Sequence, residues 1–376
     1  MLAQKPPMGW NTWNTFGENI NEQLIKESSD AFVKLGLKDA GYEYLVIDDC
    51  WSEYDRDPVT DEIVPHHEKF PNGMKVVADY VHSKGIKFGM YSCDGVRTCA
   101  DYPGSFDHEY LDAKTFAKFG VDFLKYDNCY KPDTAQCENL YRRMGMALRA
   151  SGREILFSAC NWGTENVWQW IRSTGAHMYR STGDINDSFE SYRNIAFSQL
   201  DKLGYSAPGC YNDVDMLTVG MYGKGLVGAT GCSAADYRSQ FGIWCMFSAP
   251  LMLGCDIRNV DDETVKLVTN PALIAINQDP EARSPIYLPN ADKHGKLVMM
   301  KHLANGKYAF GFFNMSEKDQ NLNAIFSDFG LPAAAGYDIK MTPVLADDEE
   351  KTYSEYMCVP VAAHDCKIYI GELVPA

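Results

Sequence analysis

The feature that most constrains the fold is an apolar run that ends abruptly in a carboxylate, and it recurs along the chain of 376 residues. The clearest example is residues 121–129, VDFLKYDNC, whose β-branched and aromatic residues are typical of a buried parallel strand. The run ends at Asp127, and Lys125 lies two residues earlier on the same face, where it is expected to hold Asp127 ionised. Taken alone, this pattern fits a nucleophile or base at a strand end, a structural ion pair, or a helix cap.

Similar apolar runs with polar ends occur eight times, and together they predict a closed barrel. They are residues 8–14, 42–47, 86–92, 121–127, 154–160, 177–184, 209–216 and 249–256. Helical patterns lie between most of them, such as the helix predicted over residues 21–35, which should end at Gly36. Such alternation favours a parallel sheet, and eight units fit an α/β fold of the (β/α)8 (TIM) barrel type over residues 1–285. An open doubly wound sheet is the alternative, but it would concentrate the polar residues at one switch point.

The pattern changes after residue 280, and a second, smaller domain is predicted over residues 286–376. Two apolar runs, 296–301 and 307–313, flank Asn305 and Gly306, which is the strongest short signal for a β-hairpin. Residues 353–361 and 367–370 are further predicted strands. We expect an antiparallel β-sandwich that stabilises the barrel and carries no catalytic residues.

Composition limits the partners and the compartment. The formal charge of −16 argues against nucleic acid and anionic membranes, which would repel the chain. No apolar run approaches membrane-spanning length, and residues 1–8 lack an apolar signal core, so the expected location is the cytoplasm, or outside the cell if a signal was removed. The twelve cysteines include no C-x-x-C pair, which disfavours a zinc ribbon or a thioredoxin-like site.

Two local motifs are interpreted as loops rather than as sites. Residues 223–228 match G-x-G-x-x-G, but they do not directly follow a strand, so a flexible loop is predicted instead of a dinucleotide site. The next helix is expected to be capped by Ser233. The sequence His66-His67-Glu68 lacks a further ligand at helical spacing, and it is predicted to be a solvated loop rather than a metal site.

The polar residues at the strand ends favour glycoside cleavage. One carboxylate can attack or activate water, another can protonate the leaving oxygen, and flat aromatic faces can stack on a sugar. No histidine stands at a strand end together with serine or cysteine, so a catalytic triad lacks its base. The strand-end residues are the carboxylates Asp48, Asp49, Asp127, Asp184 and Asp215, the cations Lys125 and Arg180, and the aromatics Trp13, Tyr91 and Trp162.

Six motifs in order resemble glycoside hydrolase family 27, which contains α-galactosidases and α-N-acetylgalactosaminidases. The motifs are MGWNTW (8–13), IDDCW (47–51), KYDNC (125–129), RSTGD (180–184), NDVDM (212–216) and NQDP (277–280). The resemblance covers essentially the whole chain. It implies a (β/α)8 barrel with a C-terminal antiparallel β domain, and a retaining double displacement without a metal or an organic cofactor.

The resemblance also implies roles for individual residues. Asp127 resembles the nucleophile and Asp184 the acid/base, whose burial is expected to raise its pKa so that it is protonated for the first step. Arg180, four residues before Asp184, is expected to influence that protonation. The residues that resemble or adjoin the family's sugar-binding groups are Trp13, Asp48, Asp49, Tyr91, Lys125, Cys160, Asn161, Trp162, Arg180, Asp215 and Met216.

The sequence departs from the family pattern at several cysteines and in one loop. Cys99 and Cys129 stand where family members often carry a disulfide, although a reducing cytoplasm would favour two thiols. Cys50 and Cys160 have no evident mate. The loop after the fifth run contains Asn161 and Thr164 and matches neither the galactosidase nor the acetylgalactosaminidase form, which leaves the preference at the sugar's 2-position open.

The leading hypothesis is a retaining exo-glycosidase that releases terminal α-D-galactose from oligosaccharides or glycoconjugates. The alternatives on the same scaffold are β-L-arabinopyranosidase and α-N-acetylgalactosaminidase activity, and the presence of both Asp48 and Asp49 favours galactose over the pentose. A non-catalytic sugar-binding protein would be expected to lack Asp127 or Asp184, and both are present. The expected partner is a glycan with terminal α-galactose, and a homo-oligomer is compatible with the sequence.

Overall fold

The first part of the chain forms a curled sheet of eight parallel strands. The computed structural model describes residues 2–289, 291–331 and 335–376. The strands pair in the order β7-β6-β5-β4-β3-β2-β1-β8. Just beyond β7, Leu217 forms a parallel bridge with Leu253 of β8 and brings the two edges together. The strands are β1 (Met8–Asn11), β2 (Tyr44–Val46), β3 (Lys87–Cys93), β4 (Phe123–Asp127), β5 (Leu156–Cys160), β6 (Met178–Arg180), β7 (Tyr211–Asp213) and β8 (Leu251–Leu253).

This architecture confirms the predicted (β/α)8 barrel, and the burial of the strands explains why their sequences are apolar throughout. Successive residues of β2 alternate: Leu45 packs towards the helices, whereas Tyr44 and Val46 pack inside the barrel. Because both faces are buried, there is no polar face to interrupt the run. A Cβ at Gly9 of β1 would lie 2.5 Å from the carbonyl oxygen of Tyr44, so glycine permits close approach there.

Helices surround the sheet and connect most of its strands. The predicted helix over residues 21–35 is confirmed as α2, with the side chain of Asn21 accepting a hydrogen bond from the Leu24 N–H at 2.9 Å. The helices are α1 (Trp13–Phe16), α2 (Glu22–Lys34), α3 (Met74–Ser83), α4 (Glu109–Phe119), α5 (Cys137–Ala150), α6 (Phe189–Gln199), α7 (Ala234–Phe247), α8 (Asp262–Val268), α9 (Pro271–Asn277) and α10 (Ala291–His294). Among the residues described, no helix combines the length and apolar character needed to cross a membrane.

Side-chain hydrogen bonds determine where α1 and α7 begin. The first predicted strand is too long, because the side chain of Asn11 accepts a hydrogen bond from the Trp13 N–H at 2.8 Å and turns the chain into α1. The predicted cap of α7 is confirmed: Ser233 and Asp236 form a reciprocal capping box. The loop 223–228 before it is tied to α1 by backbone hydrogen bonds from Leu226 and Val227.

The C-terminal part is antiparallel, as predicted. Its six-stranded sheet has the order β14-β13-β16-β11-β10-β9, and β12 pairs with β15 in a second sheet. Apolar residues of β10 and β11 pack against Leu322 and Ala324 of β12 in one core cluster. The strands are β9 (Ile286–Tyr287), β10 (Lys296–His302), β11 (Tyr308–Asn314), β12 (Gln320–Ile325), β13 (Tyr337–Leu345), β14 (Lys351–Tyr353), β15 (Tyr356–Val361) and β16 (Cys366–Pro375).

The hairpin predicted around Asn305 and Gly306 is confirmed, since β10 and β11 pair from Lys296–Asn314 to His302–Tyr308. The single strand predicted over residues 353–361 is wrong. Tyr353 ends β14 in the larger sheet, and Tyr356 begins β15 in the smaller one, so the chain changes sheet between them.

Candidate active site

The carboxyl ends of the barrel strands surround one cavity, which lies where barrels of this kind place their active sites. Twelve of the thirteen residues expected to take part in catalysis or sugar binding line it. The lining residues are Trp13, Asn14, Asp48, Asp49, Tyr91, Cys99, Lys125, Asp127, Cys160, Trp162, Arg180, Asp184, Ile185, Asp215, Met216 and Val227.

Asp127 ends β4 and is a buried carboxylate held in place by neighbouring donors. It is 6% exposed. The Tyr91 hydroxyl donates to its Oδ2 at 3.1 Å, and the Asn128 N–H donates to its Oδ1 at 3.0 Å. Burial raises the pKa of Asp127, and the positive charges of Lys125 and Arg180 oppose that rise. The site therefore contains a desolvated but orientated carboxylate, as nucleophilic catalysis requires.

Lys125 does not form the expected ion pair with Asp127. Its ammonium donates to Oδ2 of Asp48 at 2.7 Å, and the Asn11 side chain donates to the same oxygen at 2.7 Å. The two residues share a face of β4, but the longer lysine side chain reaches across to the end of β2. Lys125 acts on Asp127 through its charge and not through a hydrogen-bonded ion pair.

The adjacent carboxylates Asp48 and Asp49 have separate hydrogen-bond donors, so both side chains can be held in fixed positions in the site. Asp48 is balanced by Lys125. Asp49 accepts instead from the N–H groups of Cys50 at 2.8 Å and Ala100 at 3.1 Å. Burial without a directly bonded cation raises the pKa of Asp49 to about 6. The two carboxylates therefore differ in electrostatic environment although they are neighbours in sequence.

Arg180 links the other two carboxylates of the cavity. Its guanidinium lies 2.5 Å from Oδ1 of Asp184 and 2.8 Å from Oδ1 of Asp215. Asp215 also accepts from the Ile185 N–H at 2.7 Å, which fixes the loop that carries Asp184. Burial raises the pKa of Asp215 and the charge of Arg180 opposes it.

The expected burial of Asp184 is wrong, because its side chain is 79% exposed. Asp184 lies in the loop between β6 and α6, beside the exposed Gly183, and not within the barrel. The sequence shows a carboxylate four residues after Arg180, but the exposure of that carboxylate to solvent depends on the path of the loop. The cavity thus combines a buried carboxylate, Asp127, with an exposed one at its mouth.

Asn161 is the one expected sugar-binding residue that lies outside the cavity. It is fully buried, and its carbonyl oxygen accepts hydrogen bonds from the N–H and the hydroxyl of Thr164. The next residue, Trp162, has a φ of +57° and turns its side chain into the cavity. Asn161 and Thr164, the two positions that match neither family form, therefore do not line the cavity.

Three lining residues were missed by the sequence analysis. Asn14 and Ile185 are immediate neighbours of predicted site residues, Trp13 and Asp184. Val227 comes from the loop that was interpreted only as a flexible segment, and its N–H donates to the carbonyl oxygen of Asn14 at 3.1 Å. No sequence signal connects that loop to the barrel mouth.

The cysteines near the barrel mouth comprise one disulfide and two free thiols. Cys99 and Cys129 form a disulfide with their Cα atoms 5.2 Å apart, which joins the loops after β3 and β4. Cys50 and Cys160 are buried free thiols.

A group of potential metal ligands lies on a loop away from the cavity. Nδ1 of His67 lies 2.6 Å from Oε1 of Glu53, and this hydrogen bond raises the pKa of the imidazole. With His66 this group has the composition of a weak metal site, but all three side chains are at least partly exposed.

The sequence is similar to those of known alpha-galactosidases, which agrees with a cavity lined by carboxylates and aromatic residues. The sequence profile of the family described as "Alpha galactosidase A" matches residues 5–279. The chain is 41% identical to the alpha-galactosidase of Cyamopsis tetragonoloba, over 98% of this chain and 86% of that protein. It is 41% identical to the alpha-galactosidase of Coffea arabica, over 98% and 94% of the two chains.

A solved alpha-galactosidase structure is also similar to this chain. The crystal structure of alpha-galactosidase I from Mortierella vinacea superposes with a TM-score of 0.90 and 30% identity, over 98% of this chain and 97% of that chain. The architecture, the lining residues and the sequence relatives agree. The chain belongs to the alpha-galactosidase family, glycoside hydrolase family 27.

Proposed function

We propose that this protein is a retaining exo-α-galactosidase that releases terminal α-D-galactose from oligosaccharides or glycoconjugates. The observation that carries the proposal is the pairing of two carboxylates in one cavity, with Asp127 buried and hydrogen-bonded and Asp184 exposed at the mouth. Retaining glycosidases divide their chemistry between two such groups. Relatives with about 40% identity over nearly the whole chain are named alpha-galactosidases.

In the first step, Asp127 attacks the anomeric carbon while the bond to the leaving oxygen breaks. Asp184 donates its proton to that oxygen, and a β-galactosyl ester forms on Asp127. In the second step, Asp184 takes a proton from water, the water oxygen attacks the anomeric carbon, and the ester bond to Asp127 breaks. Galactose leaves with the α configuration, and both carboxyl groups return to their starting protonation states.

The surroundings of the two carboxylates fit these roles. The donors Tyr91 and Asn128 stabilise the carboxylate of Asp127, which favours its departure in the second step. Asp184 lies at the open mouth, where a leaving group can depart and water can enter. The Arg180 guanidinium donates to Oδ1 of Asp184 at 2.5 Å and so holds this carboxyl group at the cavity mouth.

The remaining lining residues suit a neutral sugar with several hydroxyl groups. Asp48 and Asp49 offer acceptor oxygens, and Lys125 offers donor hydrogens. Trp13 and Trp162 contribute apolar faces to the wall. Because Asp48 and Asp49 both line the cavity, we favour galactose, with its additional hydroxymethyl group, over L-arabinopyranose.

Initial rates on nitrophenyl glycosides test this proposal. The α-D-galactoside is expected to be cleaved faster than the α-N-acetylgalactosaminide and the β-L-arabinopyranoside. Asp127→Asn should lower kcat about a thousandfold or more, because the amide cannot form the ester. Asp133→Asn, at an exposed position outside the cavity, is the matched control and should be unchanged. Proton NMR should show α-galactose as the first product; a preference for another glycoside or a β product would contradict the proposal.

A further inference from the structure

A disulfide forms part of the cavity wall beside the proposed nucleophile. Cys129 lies two residues after Asp127, and Cys99 lines the cavity from the loop after β3. The two sulfur atoms and a carboxylate oxygen of Asp127 all lie within 4.8 Å of one another. The redox state of this cysteine pair therefore changes the immediate surroundings of Asp127.

Cys99 makes the pair accessible to a reductant. Its side chain is exposed, whereas Cys129 is 6% exposed. Thiol–disulfide exchange begins when an incoming nucleophile reaches one of the two sulfur atoms, so an exposed partner is the point of attack. The free cysteines of the barrel are buried by contrast. A reductant in solution therefore reaches this pair at the mouth of the cavity.

The loops that carry the two cysteines are also held together by contacts other than the disulfide. A Cβ at Gly95 would lie 1.9 Å from the carbonyl oxygen of Cys129, so the backbones of the two loops are in close contact. Further along the loop after β3, the Ala100 N–H donates to Oδ2 of Asp49 at 3.1 Å. These contacts do not involve the S–S bond. The two thiols therefore stay close to each other after reduction.

The three side chains have the chemistry and spacing of ligands for a tetrahedral zinc ion. Thiolate sulfur binds Zn²⁺ at about 2.3 Å and carboxylate oxygen at about 2.0–2.2 Å, so the ligand atoms of one ion lie about 3.5–3.8 Å apart. Cys99, Cys129 and Asp127 offer two sulfur atoms and one oxygen within 4.8 Å, and a water molecule can complete the set. Thiolates favour zinc over hard cations such as Mg²⁺. Neither sulfur of a disulfide is a thiolate, so the site exists only after reduction.

We propose that reduction of the Cys99–Cys129 disulfide creates a site for a thiophilic divalent cation such as Zn²⁺, which takes Asp127 as its third ligand and blocks catalysis. The inference rests on the proposed function, because the block follows from the role of Asp127 as the nucleophile. A carboxylate oxygen bound to Zn²⁺ donates its electron pair to the metal and is a poor nucleophile for the anomeric carbon. The protein is then active with the disulfide intact and is inhibited by zinc once the pair is reduced.

Reduction and metal binding together leave the charge of the site unchanged. A dithiol transfers two electrons and two protons to the disulfide, the S–S bond breaks, and the dithiol becomes a disulfide itself. Zn²⁺ then displaces the two thiol protons and forms two Zn–S bonds and one Zn–O bond. Because two protons leave as a doubly charged ion enters, the nearby positive charges of Lys125 and Arg180 do not oppose binding.

The test measures zinc binding and activity of the native protein in both redox states. The reduced protein is prepared with a trialkylphosphine, which becomes the phosphine oxide and leaves no competing thiol, and the reagent is removed by gel filtration without oxygen. The reduced protein should bind one more Zn²⁺ per chain than the oxidised protein. Zinc should lower kcat on nitrophenyl α-galactoside about tenfold or more in the reduced protein only. Any zinc held by Glu53, His66 and His67 is common to both states and cancels in the difference.

Three variants separate this site from other thiols. Reduced Asp127→Asn keeps both cysteines and should bind Zn²⁺ at least about tenfold more weakly than the reduced native protein, since changes even to the partners of metal ligands cost that much. Cys99→Ser should bind no additional zinc, and zinc should not inhibit it under reducing conditions. Cys358→Ser removes an exposed thiol of β15, outside the cavity, and is the matched control that should behave as the native protein.

Equal zinc binding by the two redox states would overturn the inference. So would equal binding by the reduced native protein and reduced Asp127→Asn, or zinc inhibition that persists in reduced Cys99→Ser. Zinc binding is measured without turnover, so failure of the proposed function is distinguishable from failure of the site. If the native chain cleaves no galactoside in either redox state, the proposed function fails, and the comparison with Asp127→Asn still decides whether the metal site exists.

Discussion

At the scale of single residues, Asp94 is the carboxyl group least supported by its surroundings. It follows β3 directly and is fully buried, and neither of its oxygens accepts a hydrogen bond from another side chain or backbone group of the described ranges. Its own N–H donates to the carbonyl oxygen of Asp127 at 2.9 Å. Burial, reinforced by the negative charge of Asp127, raises the pKa of Asp94 from 3.8 to about 8.

This environment predicts a pH-dependent stability. Between pH 3.8 and about 8 the folded chain keeps a proton on Asp94 that the unfolded chain has released, so the free energy of unfolding falls as pH rises through that window. Asp94→Asn removes the titrating group. Its Tm should match that of the native protein near pH 4 and exceed it by several degrees at pH 8, since 1 kcal/mol shifts Tm by about 2–4 °C in chains of 150–250 residues and by somewhat less in a longer chain.

Differential scanning calorimetry across that pH range measures the effect. Asp133→Asn, at an exposed position, is the matched control and should follow the native protein at every pH. If the Tm difference between Asp94→Asn and the native protein does not change with pH, Asp94 does not carry the proton assigned to it.

At the scale of elements, the strands of the barrel were predictable because each apolar run is buried on both faces. In β4, Leu124 and Tyr126 pack towards the helices while Phe123 packs inside the barrel, so the composition alone marks the strand. The boundaries were less accurate: the sixth run was predicted over residues 177–184, but β6 covers only Met178–Arg180. The polar residues that follow belong to the active-site loop and not to the ladder.

The parts of the site that sequence could not predict depend on contacts between elements. Lys125 is bonded to Asp48 because β2 and β4 curve towards the same cavity, 77 residues apart in sequence. Gly163 has a φ of +85°, and a Cβ there would lie 2.6 Å from the carbonyl oxygen of Ser181. This close approach fixes the loop that presents Trp162, and it follows from packing against β6, which no local pattern encodes.

At the scale of the whole molecule, the barrel and the C-terminal sheet share a continuous apolar core. A Cβ at Gly242 of α7 would lie 2.7 Å from Cδ1 of Ile368 in β16, so helix and sheet are in close contact. Arg238 of α7 reinforces the interface by donating to both carboxyl oxygens of Asp365, at 3.0 and 2.7 Å. The C-terminal sheet therefore contributes to the stability of the barrel.

Ile368→Ala tests this coupling. Removing the buried side chain should lower the free energy of unfolding by about 2–5 kcal/mol. All seven tryptophans lie between residues 10 and 244, in the barrel, so their fluorescence reports on the barrel alone. We expect the fluorescence transition to shift with the mutation. Ile325→Ala, at a half-exposed position of β12, is the control with a small effect. An unshifted fluorescence transition in Ile368→Ala would show that the two parts unfold independently.

As the nucleophile, Asp127 becomes covalently attached to galactose during the reaction, and this intermediate can be trapped. A fluorinated galactosyl fluoride that reacts in the first step and hydrolyses slowly in the second should leave one galactosyl group on the protein. Peptide mass spectrometry should place that group on Asp127, in the fragment containing KYDNC (125–129). An unlabelled protein that still cleaves α-galactosides, or a label on Asp184 or Asp215, would contradict the assignment of Asp127 as the nucleophile.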